Sequence, residues 1–222
     1  GNANDESGNS HNGTVNGATL SADRYDTANK AYSFDGVNDL IEVPETAGFE
    51  QNAITVSLWL NAASLSPGGQ IRSNVIGKDA AQRQWVMQLE QSGKIRAAVF
   101  TSTGEKTFDS GALISPNAWY HVVQVWDGAR SYIYIDGAID SSFPAVGTMA
   151  SGNEPLRIGG GGGVFLEGKI DDIRIYDRAL SAAEVTQLHS FEKPPVINTQ
   201  PQSQVVASGS NVTLTADVNG SD

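Results

Sequence analysis

The sequence predicts an all-β protein: a sandwich of two antiparallel sheets with one short helix near its end. Three observations carry this. Apolar and polar residues alternate with period 2 through most of residues 1–191, as half-buried strands require. Glycine supplies 24 of the 222 residues, above the average share of about 7%, while charged residues make up 18%, below the usual ~25%. Only one segment carries a complete set of helix-start signals. A chain of this length can form one large sandwich domain.

The strands follow in order. In Ile54-Thr55-Val56-Ser57-Leu58-Trp59-Leu60, residues Ile54, Val56, Leu58 and Leu60 form one apolar face. The hairpin around Ser92-Gly93 is decided by its register. A two-residue loop pairs Leu89 with Arg96 and mixes both faces. A three-residue loop with Gly93 left-handed pairs Leu89 with Ile95, Met87 with Ala97 and Trp85 with Val99. One face is then wholly apolar, and Gln88, Glu90, Lys94 and Arg96 share the other. Two further strands, Trp119 to Trp126 and Ser131 to Ile135, are separated by Asp127-Gly128, and Asp136-Gly137 turns the chain again. Leu156-Arg157-Ile158 precedes the run Gly159 to Gly163, read as a flexible rim loop because no helix follows it to cradle a phosphate. Lys169 to Tyr176 alternates again. The helix is specified by the Ser181/Glu184 capping box, a Leu180–Val185 staple and Leu188 on the same stripe.

A Pro-Pro break near Glu192 to Pro195 divides residues 1–191, which hold all four tryptophans, from residues 192–222, which hold no aromatic residue. The two ends of the chain read as cuts inside a longer protein.

Composition narrows the function. Without cysteine there is no disulfide, no cysteine-ligated zinc and no thiol nucleophile. Three histidines are too few for a transition-metal cage. A net charge of −11 speaks against the nucleic-acid backbone as partner. No apolar run approaches the length of a membrane-spanning helix, and no signal-peptide pattern occurs.

The motifs now on the page carry a resemblance. Phe34-Asp35-Gly36-Val37-Asn38-Asp39 with Ile41-Glu42-Val43-Pro44, then Thr55 to Trp59, Trp119-Tyr120-His121-Val122 and Tyr134-Ile135-Asp136-Gly137 occur in order. Ile170 to Tyr176 with Arg178-Ala179-Leu180-Ser181 completes the series. Together they resemble the laminin-G-like, concanavalin A-like jelly-roll modules across roughly residues 1–190. The resemblance implies two packed antiparallel sheets, often a structural calcium, and a carbohydrate-binding or adhesive role on secreted multidomain proteins. Fold alone does not select the ligand. Pro195, Ile197, Pro201, Gly209, Val212 and Leu214 resemble the first strands of a bacterial immunoglobulin-like domain. Thirty-odd residues cannot close such a core, so the segment is expected to be flexible or docked as an added strand on a neighbour.

For calcium, Asn4 to Gly13 offers carboxylate, hydroxyl and amide oxygens on a tight turn, the donor type a hard cation takes. It is not an EF-hand, since Ser10 and Asn16 stand where that loop needs Gly and Glu. The resemblance implies Asp5, Asn9 and one of Asp171 or Asp172 as side-chain ligands, with carbonyls near Ser7, His11 and Gly13. Alternation puts Asp171 and Asp172 on opposite faces unless a bulge intervenes. The competing reading is a turn that satisfies its own backbone.

Catalysis finds no support. A retaining glycosidase needs two converging carboxyls, and no strand offers the alternating acidic residues that usually supply them on a jelly roll. Asp171 and Asp172 are strand neighbours and are expected to face apart. The Arg, His and Tyr sets of lyases with this fold are missing, and no Ser-His-Asp order stands out. His121 reads as a packed structural residue, and His189 as favourable to the helix dipole.

For sugar binding, Trp126 shares a face with Tyr120 and Gln124 before the Asp127-Gly128 turn, and is either an exposed ring or core beneath the loop. Tyr132 and Tyr134 alternate with Ile133 and Ile135 and so can face outward. The Pro67 to Gln84 loop runs against the global charge, with Arg72, Lys78 and Arg83 opposed by Asp79 alone. It suits uronate or sulfate groups, or else is an ordinary solvated loop. The expected function is a non-catalytic, calcium-stabilised carbohydrate-binding module. It is expected to be extracellular, monomeric, tethered to neighbouring domains and bound to a polysaccharide. The alternative is an adhesive module that binds protein or spaces domains.

Overall fold

The computed structural model describes residues 2–45, 52–79, 82–191 and 196–219. In chain order the strands begin with β1 (Thr14–Asn16), β2 (Thr19–Ser21), β3 (Ala31–Asp35), β4 (Leu40–Val43), β5 (Ile54–Ala62) and β6 (Arg72–Lys78). Next come β7 (Trp85–Glu90), β8 (Ile95–Thr101), β9 (Gly104–Asp109), β10 (Tyr120–Trp126), β11 (Arg130–Ile135) and β12 (Ala138–Pro144). They end with β13 (Leu156–Ile158), β14 (Gly160–Gly161), β15 (Val164–Phe165) and β16 (Glu167–Tyr176), then helix α1 (Ala182–Phe191), β17 (Val196–Thr199) and β18 (Asp217–Asn219).

Two seven-stranded antiparallel sheets result. The first runs β1-β4-β13-β6-β7-β8-β9 and the second β12-β11-β10-β5-β16-β3-β2. Their facing sides make the core. Trp85, Met87, Leu89, Ile95, Ala97 and Val99 of the first sheet meet Val56, Leu58, Leu60, Val122 and Ile133 of the second. The β7–β8 hairpin has the three-residue loop, with Leu89 opposite Ile95, Met87 opposite Ala97 and Trp85 opposite Val99. Gly93 has φ 86°, which lets the loop close without a Cβ penalty.

Helix α1 lies on the outer face of the second sheet. Leu180, Val185 and Leu188 pack there on Val123, Val125 and Tyr134. Its start is the expected capping box: Glu184 N–H donates to Ser181 Oγ at 3.3 Å, and Ser181 N–H to Glu184 Oε2 at 2.8 Å. Arg178 adds an ion pair at 2.8 Å, and with Ser181 it holds the Glu184 carboxyl at about 2.

Two local expectations are corrected. The Pro67 to Gln84 stretch is not loop throughout: a tight turn at Pro67–Gly69 is followed by strand β6. The Gly159 to Gly163 run is not a flexible rim but part of the β14–β15 hairpin, with Gly159, Gly160 and Gly161 buried. A Cβ on Gly159 would sit 2.2 Å from the Phe34 ring, which is why glycine is needed there. In the C-terminal piece β17 pairs with β18. The Glu192 to Pro195 boundary lies outside the described residues.

Candidate functional site

No helix covers the outer face of the first sheet among the described residues, and a cleft of about 370 Å³ opens there. Strand alternation puts Gln88 outward because Met87 and Leu89 face the core. A bulge between Asn74 and Ile76 turns Asn74 to the same side. Gln88 Nε2 donates to Asn74 Oδ1 at 2.6 Å, and Asn74 Nδ2 donates to the Gly161 carbonyl at 2.9 Å. Both amides are nearly fully buried, so their orientation is fixed before any ligand arrives.

Arg72 and Arg83 flank this amide pair. Arg72 lies 3.7 Å from Glu90, and Arg83 pairs with Asp79 while its guanidinium sits 5.0 Å from the centre of the Phe100 ring. Both guanidinium groups remain partly exposed, so the pairs are weak and exchangeable. Burial raises the Asp79 carboxyl above its ordinary range, against the pull of Arg83. The result is two cationic forks beside fixed amides, a geometry suited to carboxylate or sulfate oxygens next to hydroxyls.

Lys78, the third expected cation, does not join them. It is fully buried and paired with Glu45, and the stretch is opposed by Glu45, Glu90 and Glu105 as well as by Asp79. Asn74 and Gln88 were legible only in part. Gln88 falls on the polar face of the hairpin register, but treating residues 67–84 as loop hid the strand that brings Asn74 beside it.

The expected aromatic platform is corrected. Trp126, Tyr120 and Gln124 do share a face, and that face is the core. Trp126 is fully buried and its Nε1–H donates to the Ala145 carbonyl at 2.7 Å. Gln124 is buried between the sheets and reaches the Ala98 carbonyl at 3.3 Å. Tyr120 is half-buried against the core, and its hydroxyl accepts the Ser115 N–H. Tyr134 does face outward from the sheet, but helix α1 covers it. Tyr132 is half-buried beside it and binds Asp127 through its hydroxyl at 3.3 Å.

The two halves of the expected calcium site are engaged separately. Asp5 accepts hydrogen bonds from the Ser7 hydroxyl, the His11 N–H and the Ser7 N–H, which hold its carboxyl at about 2. Asn9 turns back to Ser7 Oγ at 3.0 Å, and Gly13 N–H donates to the Ala3 carbonyl. Asp171 and Asp172 do not face apart. A bulge between Asp171 and Arg174, with Asp172 left-handed at φ 44°, brings both carboxylates to Arg24 Nη1, each at 2.6 Å. Arg24 supplies a positive charge beside both carboxylates.

One further cluster was not expected. On the outer face of the second sheet, His121 Nε2 lies 2.8 Å from Ser57 Oγ, and its ring packs against Trp59 and His189 at 5.3 and 5.5 Å. Ser57 and His121 are both fully buried, and His121 Nδ1 has no hydrogen-bond partner. Among the described residues no carboxylate orients the ring, and both side chains are sealed from solvent, as in a packing contact. His189 thus serves as packing for this cluster, besides its place at the helix end.

Comparison with known proteins agrees with the architecture. Residues 35–186 match the family model described as the concanavalin A-like lectin/glucanases superfamily. No curated protein matches the sequence. Among solved structures, the binding domain of Paraclostridial Mosquitocidal Protein 1 aligns with TM-score 0.71 and 20% identity, over 89% of this chain and 51% of that one. The receptor binding domain of botulinum neurotoxin C/D mosaic serotype aligns with TM-score 0.69 and 13% identity, over 89% and 50%. The binding domain of botulinum neurotoxin serotype D gives 0.66 and 14%, over 89% and 53%. The chain spans about half the length of these structures, and identities this low report the fold.

Proposed function

The chain belongs to the concanavalin A-like lectin/glucanases superfamily, and from that premise we propose that it is a non-catalytic carbohydrate-binding module. It holds a secreted, multidomain parent protein on a polysaccharide outside the cell. The observation that carries the reading is the cleft on the first sheet, where the fixed Asn74–Gln88 amides lie between Arg72 and Arg83. Its ligand is an anionic polysaccharide, uronic-acid-containing or sulfated, because the lining is cationic on a chain of net charge −11.

A structural calcium belongs to this reading at the Asn4 to Gly13 turn alone. Asp5 and Asn9 would hold it with carbonyls near Ser7, His11 and Gly13, and the ion would displace the Ser7 and His11 hydrogens from Asp5.

A second reading is an adhesive module that binds protein. It is favoured by exposed Ile139 and Phe143 on β12, the edge strand of the second sheet, where Phe143 stacks on Phe108 at 6.0 Å. Affinity electrophoresis against neutral, uronic-acid and sulfated polysaccharides, with calcium and with chelator, separates the two. Retardation by an anionic class is expected, and Arg72→Ala or Arg83→Ala should abolish it without changing the melt. A folded protein retarded by none of them would leave the adhesive reading.

A further inference from the structure

A larger cleft, of about 550 Å³, opens on the other sheet, beyond the area that helix α1 covers. Its size falls within the range of about 300–1,000 Å³ typical of small-ligand clefts. Six polar side chains converge there: Ser33 and Asp35 of β3, Asn61 of β5, Asn117 before β10, and Glu167 and Lys169 of β16. The pairing that assembles them is explicit. Glu167 lies opposite Asp35, and Lys169 lies between Ser33 on one side and Asn61 on the other. Ile170 faces the core, so Lys169 and Glu167 point to the outer side.

The contrast with the first cleft is chemical. There the side chains bond to one another. Here Ser33, Asn61, Asn117, Glu167 and Lys169 make no side-chain hydrogen bond or ion pair within the described chain. Asp35 alone is engaged, accepting the Val37 and Asn38 N–H groups through Oδ1, and these keep its carboxyl below the ordinary range. Directly opposed residues on antiparallel strands have Cβ atoms about 4.5–5.5 Å apart, and like charges placed so repel. Asp35 and Glu167 are such a pair, and among the described residues no cation is ion-paired with either.

The geometry points to a second glycan site on this face, selective for an amine-bearing sugar. The ligand's ammonium sits between Asp35 and Glu167, and its hydroxyls bond to Asn61, Asn117 and Ser33. Lys169, one residue pair further along β16, opposes a second positive charge and so fixes which end of the ligand enters. The inference rests on the glycan-binding reading above, but it concerns different residues and the opposite ligand charge.

The test is calorimetric titration of the whole chain with a glucosamine oligosaccharide and with its fully N-acetylated counterpart, at slightly acidic pH and two salt concentrations. The free-amine oligomer should bind at one site and weaken with salt, while the acetylated oligomer binds at least tenfold more weakly. Glu167→Gln should lose at least tenfold and melt no lower than the wild type, because it removes the cross-strand repulsion. Lys169→Gln should bind no more weakly, and Arg72→Ala with Arg83→Ala should leave this binding intact while abolishing retardation by anionic polysaccharide. Equal affinity for the two oligomers, binding of neither, or loss in the arginine variants overturns the assignment. So does competition by calcium ions alone, which would make the carboxylate pair a metal site.

Discussion

Arg24 places Nη1 2.6 Å from Asp171 Oδ2, across 147 residues of sequence, and its guanidinium rests 4.7 Å from the Trp59 ring centre. Both side chains are nearly inaccessible, at 7% and 5%. Burial and the neighbouring Asp172 nevertheless push the Asp171 carboxyl up to about 6, so Arg24 only partly offsets the desolvation. Removing one member of such a pair costs about 3–5 kcal/mol, because the other charge is left buried and uncompensated. Arg24→Ala should therefore lower Tm by roughly 6–20 °C. Adding Asp171→Asn and Asp172→Asn to that variant should recover part of the loss. Thermal melts of the three proteins check this, and an unchanged melt for Arg24→Ala removes the clamp from the stability account.

His121 sets an acid dependence. Burial, aided by His189, Arg24 and Arg174, lowers its pKa from 6.5 to about 3. Between those values the unfolded chain binds a proton that the folded chain refuses, so stability falls as pH drops from 6.5 toward 3. The loss approaches 3–5 kcal/mol, an order-of-magnitude figure from about 1.4 kcal/mol per pKa unit. Asp171 works oppositely, since its raised pKa removes stability as pH rises from 3.8 to about 6. His121→Gln isolates the histidine. Denaturant melts at pH 7 and pH 4.5 should show the wild type losing more stability than the variant; parallel losses would mean that His121 titrates normally.

Trp126 is a core residue and should behave as one. Trp126→Ala should cost about 3–5 kcal/mol, and its fluorescence should stay unquenched when polysaccharide binds to the wild type. Comparison with single-tryptophan variants assigns the signal. Quenching of Trp126 by ligand would return it to the surface.

Calcium at the N-terminal turn is a stability statement. An ion bound only by the folded state at 100 times its Kd adds about 2.7 kcal/mol. Added calcium should raise Tm in the wild type and leave Asp5→Ala unmoved, with chelator reversing the rise. A wild-type melt indifferent to chelator removes the ion from this turn.

The cleft arginines make an ionic-strength prediction. Retardation by an anionic polysaccharide should weaken as salt rises, because Arg72 and Arg83 are partly exposed and their contacts are screened. A salt-independent interaction would point to hydroxyl recognition by Asn74 and Gln88 alone.

Much of this protein could be read directly from its residues. Period 2 placed Leu89 opposite Ile95, the spacing of Ser181 and Glu184 started helix α1, and Ile54, Val56, Leu58 and Leu60 did share the buried face. These are local patterns, written within a few residues of one another. Arg72 and Arg83 were also visible, as positive charges on an acidic chain. What alternation cannot do is say which of two faces meets the other sheet, or what lies over the outer one. Trp126 and Tyr134 show both failures: the first faces the opposing sheet, and the second faces away from it but under a helix 50 residues later.

The sequence by itself thus determined the strictly alternating strands, the register of the β7–β8 hairpin, the single helix and the class of fold, because each depends on neighbours along the chain. Tertiary structure alone decided that Asp171 and Asp172 converge on Arg24, that Lys78 is buried against Glu45, and that Asp35 opposes Glu167. Those relations arise where remote strands pair or a bulge breaks the alternation. Charge interactions there depend on burial and on spacing of a few ångströms, which no single stretch of sequence encodes.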